Sequence, residues 1–198
     1  MGCLMRMGEL LSTDVECIAR TKTGDGQAFR QLVERYEGQV AATVVGMLGS
    51  GAEAEDVGQE VFIRFYESLD KFRGDSTVGT YITRIAINLS LNAVERRKRI
   101  RWRFWSRDEA EDPPDYVGVD GREERLRQEK SESVHAALQQ LDPAFRAVVV
   151  LRMLEGYSTK ETADLLDIAE GTVLSRLSRA IKKLEEVLKK EGDLSYER

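Results

Sequence analysis

Residues 170–183 combine short hydroxyls with cations at a spacing suited to contact with DNA. Val173, Leu177 and Ala180 recur at helical spacing, which predicts a helix buried along that stripe. On the opposite face, hydroxyls can approach base edges and phosphates, and arginines offer paired donors to guanine or phosphate. The same pattern is also typical of a helix face that is merely wetted by solvent. The residues of this face are Thr172, Ser175, Arg176, Arg179 and Lys183.

The preceding residues predict a helix-turn-helix that would position this face. Ser158 and Glu161 have the spacing of a capping box, which predicts where the first helix begins. Ala163 is small where two helices must approach closely, and Ile168 is the apolar residue of the turn. These independent signals occur in the order that a helix-turn-helix requires. They therefore favour DNA binding over the alternative that this face is simply exposed to solvent.

Helical spacing also predicts the elements of the first half of the chain. Asp25 is a candidate N-cap for a first helix, which the glycines at 49 and 51 end. A second helix follows and runs to Leu69, with Val57, Val61 and Phe65 on its inward stripe. Its remaining surface includes Asp56, Gln59, Glu60, Ile63 and Arg64.

A polar loop is predicted over residues 71–79, because glycine, aspartate and serine are concentrated there. A third helix is predicted from Thr80 to the basic run at 96–99. This run could simply be a solubilising helix end that complements the macrodipole.

The fold class is therefore all-α, with two small helical domains joined by a flexible linker and a helix-turn-helix in the second domain. The linker is predicted from the acidic stretch around Pro113 and Pro114 and from the lack of apolar periodicity up to about Val134. Its aromatic and basic front edge, 101–105, suits either a tethered contact segment or aromatics that cap the first domain. The predicted boundaries are 1–24 for an N-terminal extension, 25–103 for the first domain, 104–130 for the linker, 131–190 for the second domain and 191–198 for a tail.

Composition limits the classes of function. The 198 residues carry a formal net charge of −5, which argues against a protein that coats DNA by bulk attraction. Cys3 and Cys17 lack the spacing of a zinc site, and the chain has one histidine, so we expect no metal and no cofactor. The low number of cysteines also predicts that the protein is found in a reducing cytoplasm. Neither a signal peptide nor an apolar run of about 20 residues is recognisable, so we expect no membrane insertion.

Both halves resemble extracytoplasmic-function sigma factors, the small promoter-recognition subunits of bacterial RNA polymerase. The resemblance covers the chain from about Asp25 to Leu188, without the linker. In the second half it is carried by Leu141-Asp142-Pro143, Gly156-Tyr157-Ser158, Gly171-Thr172-Val173 and Ser175-Arg176-Leu177. In the first half it is carried by Ala54-Glu55-Asp56-Val57, Gln59-Glu60-Val61-Phe62, Leu69-Asp70-Lys71-Phe72, Thr80-Tyr81-Ile82 and Arg84-Ile85-Ala86.

The resemblance implies a role for each helix. The second helix would bind the β′ clamp helices of core polymerase through Asp56, Gln59, Glu60, Ile63 and Arg64. The loop and third helix would read the unpaired non-template strand of the minus-ten element and hold the duplex upstream of it. The residues implied for these minus-ten contacts are Arg73, Gly74, Asp75, Ser76, Tyr81, Arg84, Asn88, Asn92, Arg96 and Arg97, together with Arg99 on the duplex.

The family also implies partners. The helix from about Glu170 would enter the duplex major groove at the minus-thirty-five element, through the hydroxyl and cationic face described above. Core RNA polymerase, with its β′ and β subunits, would hold both domains on promoter DNA, and the linker would thread through the enzyme. An anti-sigma protein wedged between the domains is a further implied partner. The chain itself would have no catalytic residues.

Three positions depart from the family pattern. Val78-Gly79 stands where a bulky aromatic-basic pair is common, which predicts an unusual minus-ten pocket. Leu174 replaces a frequent lysine and removes one phosphate contact, and Asp167 replaces a frequent glycine at the turn.

Two other classes of function remain open from sequence. A free-standing helix-turn-helix regulator would need an internal ligand pocket in its first domain and would bind duplex DNA without polymerase. A nucleic-acid enzyme would need clustered catalytic carboxylates or a nucleotide-binding loop, and the sequence offers neither pattern.

Overall fold

The computed structural model describes residues 13–104 and 133–195, and every regular element in these two ranges is helical. The predicted linker lies almost wholly outside the described residues. A 3₁₀ turn, Leu69–Lys71, follows the third helix, and a π-helical segment, Val150–Leu154, continues the sixth. The helices are α1 (13–22), α2 (Gly26–Leu48), α3 (Ala52–Ser68), α4 (Val78–Phe104), α5 (133–139), α6 (Pro143–Val149), α7 (Thr159–Leu166) and α8 (Glu170–Ser195).

The first region is built around α2, which packs against both α3 and α4. Asp25 caps it as predicted, since its carboxylate accepts hydrogen bonds from the amides of Gln27 and Ala28. Leu32, Phe65 and Ile82 are completely buried where the three helices meet. Burial of each such side chain contributes about 1.5–3 kcal/mol, so this apolar core fixes the relative placement of α3 and α4.

Residues of the predicted N-terminal extension form α1, which docks on α2. Cys17 and Ile18 are buried there, and Asp14 is only 2% exposed. The Asp14 carboxylate accepts hydrogen bonds from Arg35 and Tyr36 of α2. Burial and this contact raise the pKa of the Tyr36 phenol. Residues 13–22 of the extension are therefore joined to the first region by hydrogen bonds to a buried carboxylate.

The loop before α4 is shorter than predicted, and α4 is longer. The helix begins at Val78 instead of Thr80, because Thr77 precedes it as a cap and its hydroxyl accepts from the Thr80 amide at 3.1 Å. It continues to Phe104, beyond the basic run, since arginine and lysine are good helix formers. At the other end of the loop, α3 stops at Ser68 and gives way to the 3₁₀ turn.

The second region contains α5 to α8. Asp142 caps α6 by accepting from the Ala144 amide at 2.9 Å, and Pro143 occupies the first turn as predicted. The predicted single helix up to Gly156 instead changes to π-helical turns after Val149. Gly156 then adopts a φ of +74°, a conformation that glycine accepts without strain.

The two regions share one hydrophobic core. Ala147, Val150 and Leu151 of the second region lie in the same buried cluster as Val44 and Met47 of α2. The expectation of an all-α fold with a C-terminal helix-turn-helix is confirmed. Among the described helices, none combines the length and apolarity that crossing a bilayer would require.

Candidate nucleic-acid interface

The helix-turn-helix is formed by α7 and α8, and the predicted capping box is present. The Glu161 amide donates to the Ser158 hydroxyl at 3.2 Å, and the Ser158 amide donates to the Glu161 carboxylate at 2.8 Å. These hydrogen bonds lower the pKa of Glu161, so the carboxylate is charged at neutral pH. Ala163, Val148 and Val173 form the small core between the helices, with Ile168 packed against it as predicted.

The turn between α7 and α8 contains Asp167 in the left-handed conformation, with φ 53° and ψ 51°. Glycine reaches this conformation without strain, and aspartate is among the few other residues that visit it routinely. Asp167, which stands where glycine is frequent, therefore fits this turn. It forms the C-terminal cap of α7, and its amide donates to the carbonyl oxygen of Ala163.

The polar face of α8 is open to solvent along most of its length. Ser175, Arg179 and Lys183 are exposed, while Thr172 and Arg176 are half-buried. The Ser175 hydroxyl donates to the Thr172 carbonyl at 3.0 Å. Leu174 is 55% exposed on the same helix, so an apolar side chain lies where the family frequently has a cation.

The predicted polymerase-binding residues share one exposed side of α3. Ile63 is 52% exposed, and Asp56 and Gln59 lie beside it in solvent. Arg64 is held along the helix by Glu60 at 2.7 Å and by Glu67 at 3.7 Å.

Tyr66 is an exposed aromatic of α3 that the sequence reasoning did not select. Its ring is 53% exposed and contacts Phe29 edge-on, with ring centroids 5.0 Å apart. The helical repeat could have indicated that Tyr66 belongs to the same surface as Ile63. It follows Ile63 by three residues, and such neighbours lie on adjacent parts of a helix surface.

The loop before α4 is exposed, and a cluster of aromatic rings packs beside it. Arg73, Asp75 and Ser76 are in solvent, and Gly74 has a φ of +80°. Tyr81 is half-buried, with its ring 5.2 Å from Phe72 and 6.2 Å from Phe65 between centroids.

Farther along α4, Arg84, Asn88 and Asn92 form the exposed stripe that four-residue spacing predicts. The Arg84 guanidinium donates to the carbonyl of Asp164 in α7 at 3.1 Å.

Gly79 explains how α4 approaches α2 so closely. A β-carbon at this position would lie 3.1 Å from the Gln39 side-chain oxygen and 3.2 Å from the Tyr36 ring. A bulky residue here would push the two helices apart, so the departure at Val78-Gly79 changes the packing behind the loop.

The basic end of α4 is partly neutralised within the chain. Arg96 contacts Glu53 at 2.8 Å, and Arg97 contacts the same carboxylate and the Leu48 carbonyl. Partial burial of the Glu53 carboxyl acts to raise its pKa. The hydrogen bonds and charges of Arg96 and Arg97 have the larger combined effect, so the pKa of Glu53 is lowered. Arg99 is exposed and bonds only weakly, at 3.4 Å, to the Glu95 carbonyl.

A polar cleft of about 810 Å³ separates the loop from the helix-turn-helix. Its walls carry Asp75, Ser76 and Arg84 on one side and Asp164 and Asp167 on the other. Within the described ranges, the acidic, histidine and cysteine side chains form no group that would hold a metal ion.

Comparisons with known proteins agree with this arrangement. The family model described as Sigma-70 region 2 matches residues 32–100, and that described as Sigma-70, region 4 matches residues 131–184. The RNA polymerase sigma-H factor of Pseudomonas aeruginosa is 35% identical over 183 residues, which cover 88% of this chain and 93% of that protein. The ECF RNA polymerase sigma-E factor of Escherichia coli K12 is 34% identical over 181 residues, covering 87% and 93% respectively.

Solved structures show the same fold. CnrH, in complex with the cytosolic domain of CnrY, has a TM-score of 0.60 at 27% identity and covers 89% of this chain and 97% of its own. The sigma factor RpoE of Bartonella quintana, in complex with the anti-sigma factor NepR, has a TM-score of 0.63 at 23% identity, with coverages of 81% and 96%. On these two regions and these relatives, the chain belongs to the extracytoplasmic-function group of the sigma-70 family and is a sigma factor of RNA polymerase.

Proposed function

We propose that this sigma factor binds core polymerase through α3, opens the minus-ten element with α4 and its preceding loop, and reads the minus-thirty-five element with α8. The observation that carries the proposal is the presence of a region 2 helix set and a capped region 4 helix-turn-helix in one chain, in that order. It acts as a specificity subunit of transcription and not as an enzyme in itself.

The exposed side of α3 is suited to a protein partner. Ile63 and Tyr66 are large side chains exposed by about half, and charged groups surround them. An apolar centre with a polar rim is the usual composition of a protein interface. We assign this side to the β′ clamp helices of core polymerase, with Asp56, Gln59, Glu60, Ile63 and Arg64 as its contacts, while the β subunit contributes elsewhere.

Strand opening needs no nucleotide hydrolysis by this chain. A base captured in its flipped-out state shifts the equilibrium towards open DNA by differential binding. Arg73, Gly74, Asp75 and Ser76 supply exposed groups for such a base, and Tyr81, Arg84, Asn88 and Asn92 extend the contact surface along α4. Arg96 and Arg97 would hold duplex phosphates once DNA competes with Glu53 for them.

Duplex recognition belongs to the polar face of α8, where Thr172, Ser175, Arg176, Arg179 and Lys183 lie. Its arginines suit guanine or phosphate. The net charge of −5 keeps the free chain a weak DNA binder, so specificity depends on the larger enzyme. The relatives are sigma factors, which supports a cytoplasmic site of action, and an anti-sigma protein as a regulatory partner is supported by the NepR complex.

The deciding experiment is in-vitro transcription with purified chain, bacterial core polymerase and genomic fragments, followed by sequencing of transcript starts. We expect starts that depend on the chain and share two upstream elements. A chain that binds duplex DNA tightly alone and gives no dependent starts would instead be the free-standing regulator.

A further inference from the structure

We propose that Leu174 of α8 reads a base, by burying its side chain against the C5 methyl group of a thymine in the minus-thirty-five element. The inference rests on the proposed function and deepens it, because it assigns a base to one residue of the helix that enters the major groove. Leucine at this position thereby changes the kind of contact made with DNA, from a phosphate contact to a base contact.

Leu174 lies on the outward side of α8. Val173 is completely buried against the rest of the helix-turn-helix and marks the inward side of the helix. Because successive residues of a helix are about 100° apart, Leu174 and Ser175 turn away from that side, and both are exposed. Gly171 and Ser178 are exposed about one turn before and one turn after Leu174. These four residues form an outward strip near the start of α8.

The side chain of Leu174 is not part of the core that holds the helix-turn-helix together. It is 55% exposed, and the two core clusters described for the second region include Val173, Leu177 and Leu184 of α8 but not Leu174. Single exposed leucines are common on protein surfaces, so exposure alone carries no function. What distinguishes Leu174 is its place on a helix whose outward side faces DNA in the proposed function, where burial of an apolar group adds affinity.

The residues around Leu174 allow the helix to approach a partner closely. Gly171 has no positive φ, and a β-carbon there would meet no atom within 4 Å. Neither the backbone nor the packing of the described residues therefore requires glycine at this position. Since Gly171, Ser175 and Ser178 are all small, Leu174 has the longest side chain of the strip and is the first of the four to meet a surface that the helix approaches.

Thymine is the base that offers a matching group. The C5 methyl of thymine is the apolar group that base pairs present in the major groove. The N-terminal residues of a recognition helix contact base edges, and Leu174 is the fifth residue of α8. Lysine at this position would contact phosphate, which carries no sequence information. A leucine side chain has no donor or acceptor for phosphate or for polar base edges, so the thymine methyl is the partner that it fits.

Deoxyuridine tests the contact, because it lacks only the methyl group of thymidine. The transcript starts made by the wild-type holoenzyme locate the minus-thirty-five element, and each thymine on either strand of it is replaced singly. We expect one replacement to weaken wild-type holoenzyme binding, measured by fluorescence anisotropy, by about fourfold, the ratio for one buried methyl-sized group. Leu174→Ala should bind the thymine and uracil forms equally. Leu188→Ala, which shortens a 41% exposed leucine far along α8, is the matched control and should keep the fourfold loss.

Leu174→Lys separates base reading from phosphate binding. One added phosphate contact makes the slope of log K against log salt steeper by about 0.9, so this variant should bind with a steeper salt dependence than the wild type. It should also fail to distinguish thymine from uracil. An element without thymine, no loss at any replaced thymine, or the same loss in the wild type and Leu174→Ala overturns the proposal. Absence of transcript starts that depend on the wild-type chain would instead reject the proposed function.

Discussion

Arg176 is the residue of α8 on which duplex recognition depends most in our proposal. It is half-buried at the edge of the helix-turn-helix, so its guanidinium is more restricted than those of the exposed cations beside it. We expect Arg176→Ala to weaken holoenzyme binding to duplex promoter DNA by about 10- to 100-fold, the effect of losing one bidentate base contact. Electrophoretic mobility shift with holoenzyme measures this effect.

The control for this variant is Lys189→Ala, which removes an exposed cation farther along the same helix. It should leave promoter binding within about twofold of the wild type. A fall in core association for Arg176→Ala, measured by gel filtration with core polymerase, would contradict its assignment to DNA.

Asn88 tests the strand-reading stripe of α4. Its amide is exposed one turn from Arg84 and can pair with the Watson–Crick edge of an unstacked base. We expect Asn88→Ala to reduce open-complex formation by about tenfold, equivalent to about 1.4 kcal/mol, while closed-complex formation stays unchanged. Permanganate reactivity of thymines in the minus-ten element reports opening, and wild-type reactivity would remove Asn88 from the stripe.

At the scale of elements, side-chain caps set the start of α2, α6 and α7. The box formed by Ser158 and Glu161 fixes the first residue of α7, the first helix of the helix-turn-helix. We expect Ser158→Ala to destabilise the chain by about 0.5–2 kcal/mol, because an N-terminal amide loses its acceptor. Urea unfolding followed by circular dichroism measures the loss.

Ser178→Ala is a suitable comparison, since this exposed serine lies inside α8 and caps no helix. Its effect should be within about 0.5 kcal/mol of zero. Equal losses for the two variants would show that the capping box contributes nothing to stability.

The same caps explain how much of the elements was predictable. Asp25, Asp142 and Ser158 are local signals, and each caps the predicted helix. The start of α4 was placed two residues late, because the Thr77 cap lies in a segment whose glycine, aspartate and serine content indicates a loop. The π-helical turns after Val149 were missed since a buried apolar run has the same composition in an α-helix.

At the scale of the molecule, the contact between the two regions was not predictable from periodicity. Gly46 carries no hydrophobic signal, although its lack of a side chain permits the closest approach. Tyr157 and Arg146 belong to local patterns in the second region, while their partners Thr83 and Met47 lie 74 and 99 residues away in the sequence. The polar faces of α3, α4 and α8 were recoverable because each follows a single helical repeat.

Glu155 makes the stability of the contact between the two regions sensitive to pH. It lies at the end of the π-helical segment, facing α2, and its Oε1 atom is buried without a hydrogen bond of good geometry, although the Thr43 hydroxyl lies nearby. Burial raises its pKa, so the folded chain holds this proton more tightly than the unfolded chain does. The stability that this group contributes is therefore fully present at pH below the ordinary glutamate value and is lost as pH rises through the raised pKa.

Glu155→Gln removes this titration while keeping the size of the side chain. Tyr157 and Arg146, two other titratable groups at the contact between the regions, keep their charge state between pH 4.5 and 7.5 because their pKa values lie above that range. At pH 7.5 we expect Glu155→Gln to raise Tm by about 2–4 °C, which corresponds to about 1 kcal/mol for a chain of this length, and to have little effect at pH 4.5. Differential scanning calorimetry at both pH values checks this, with Glu185→Gln on the exposed side of α8 as control. An equal shift at both pH values would mean that Glu155 is not buried against α2 in solution.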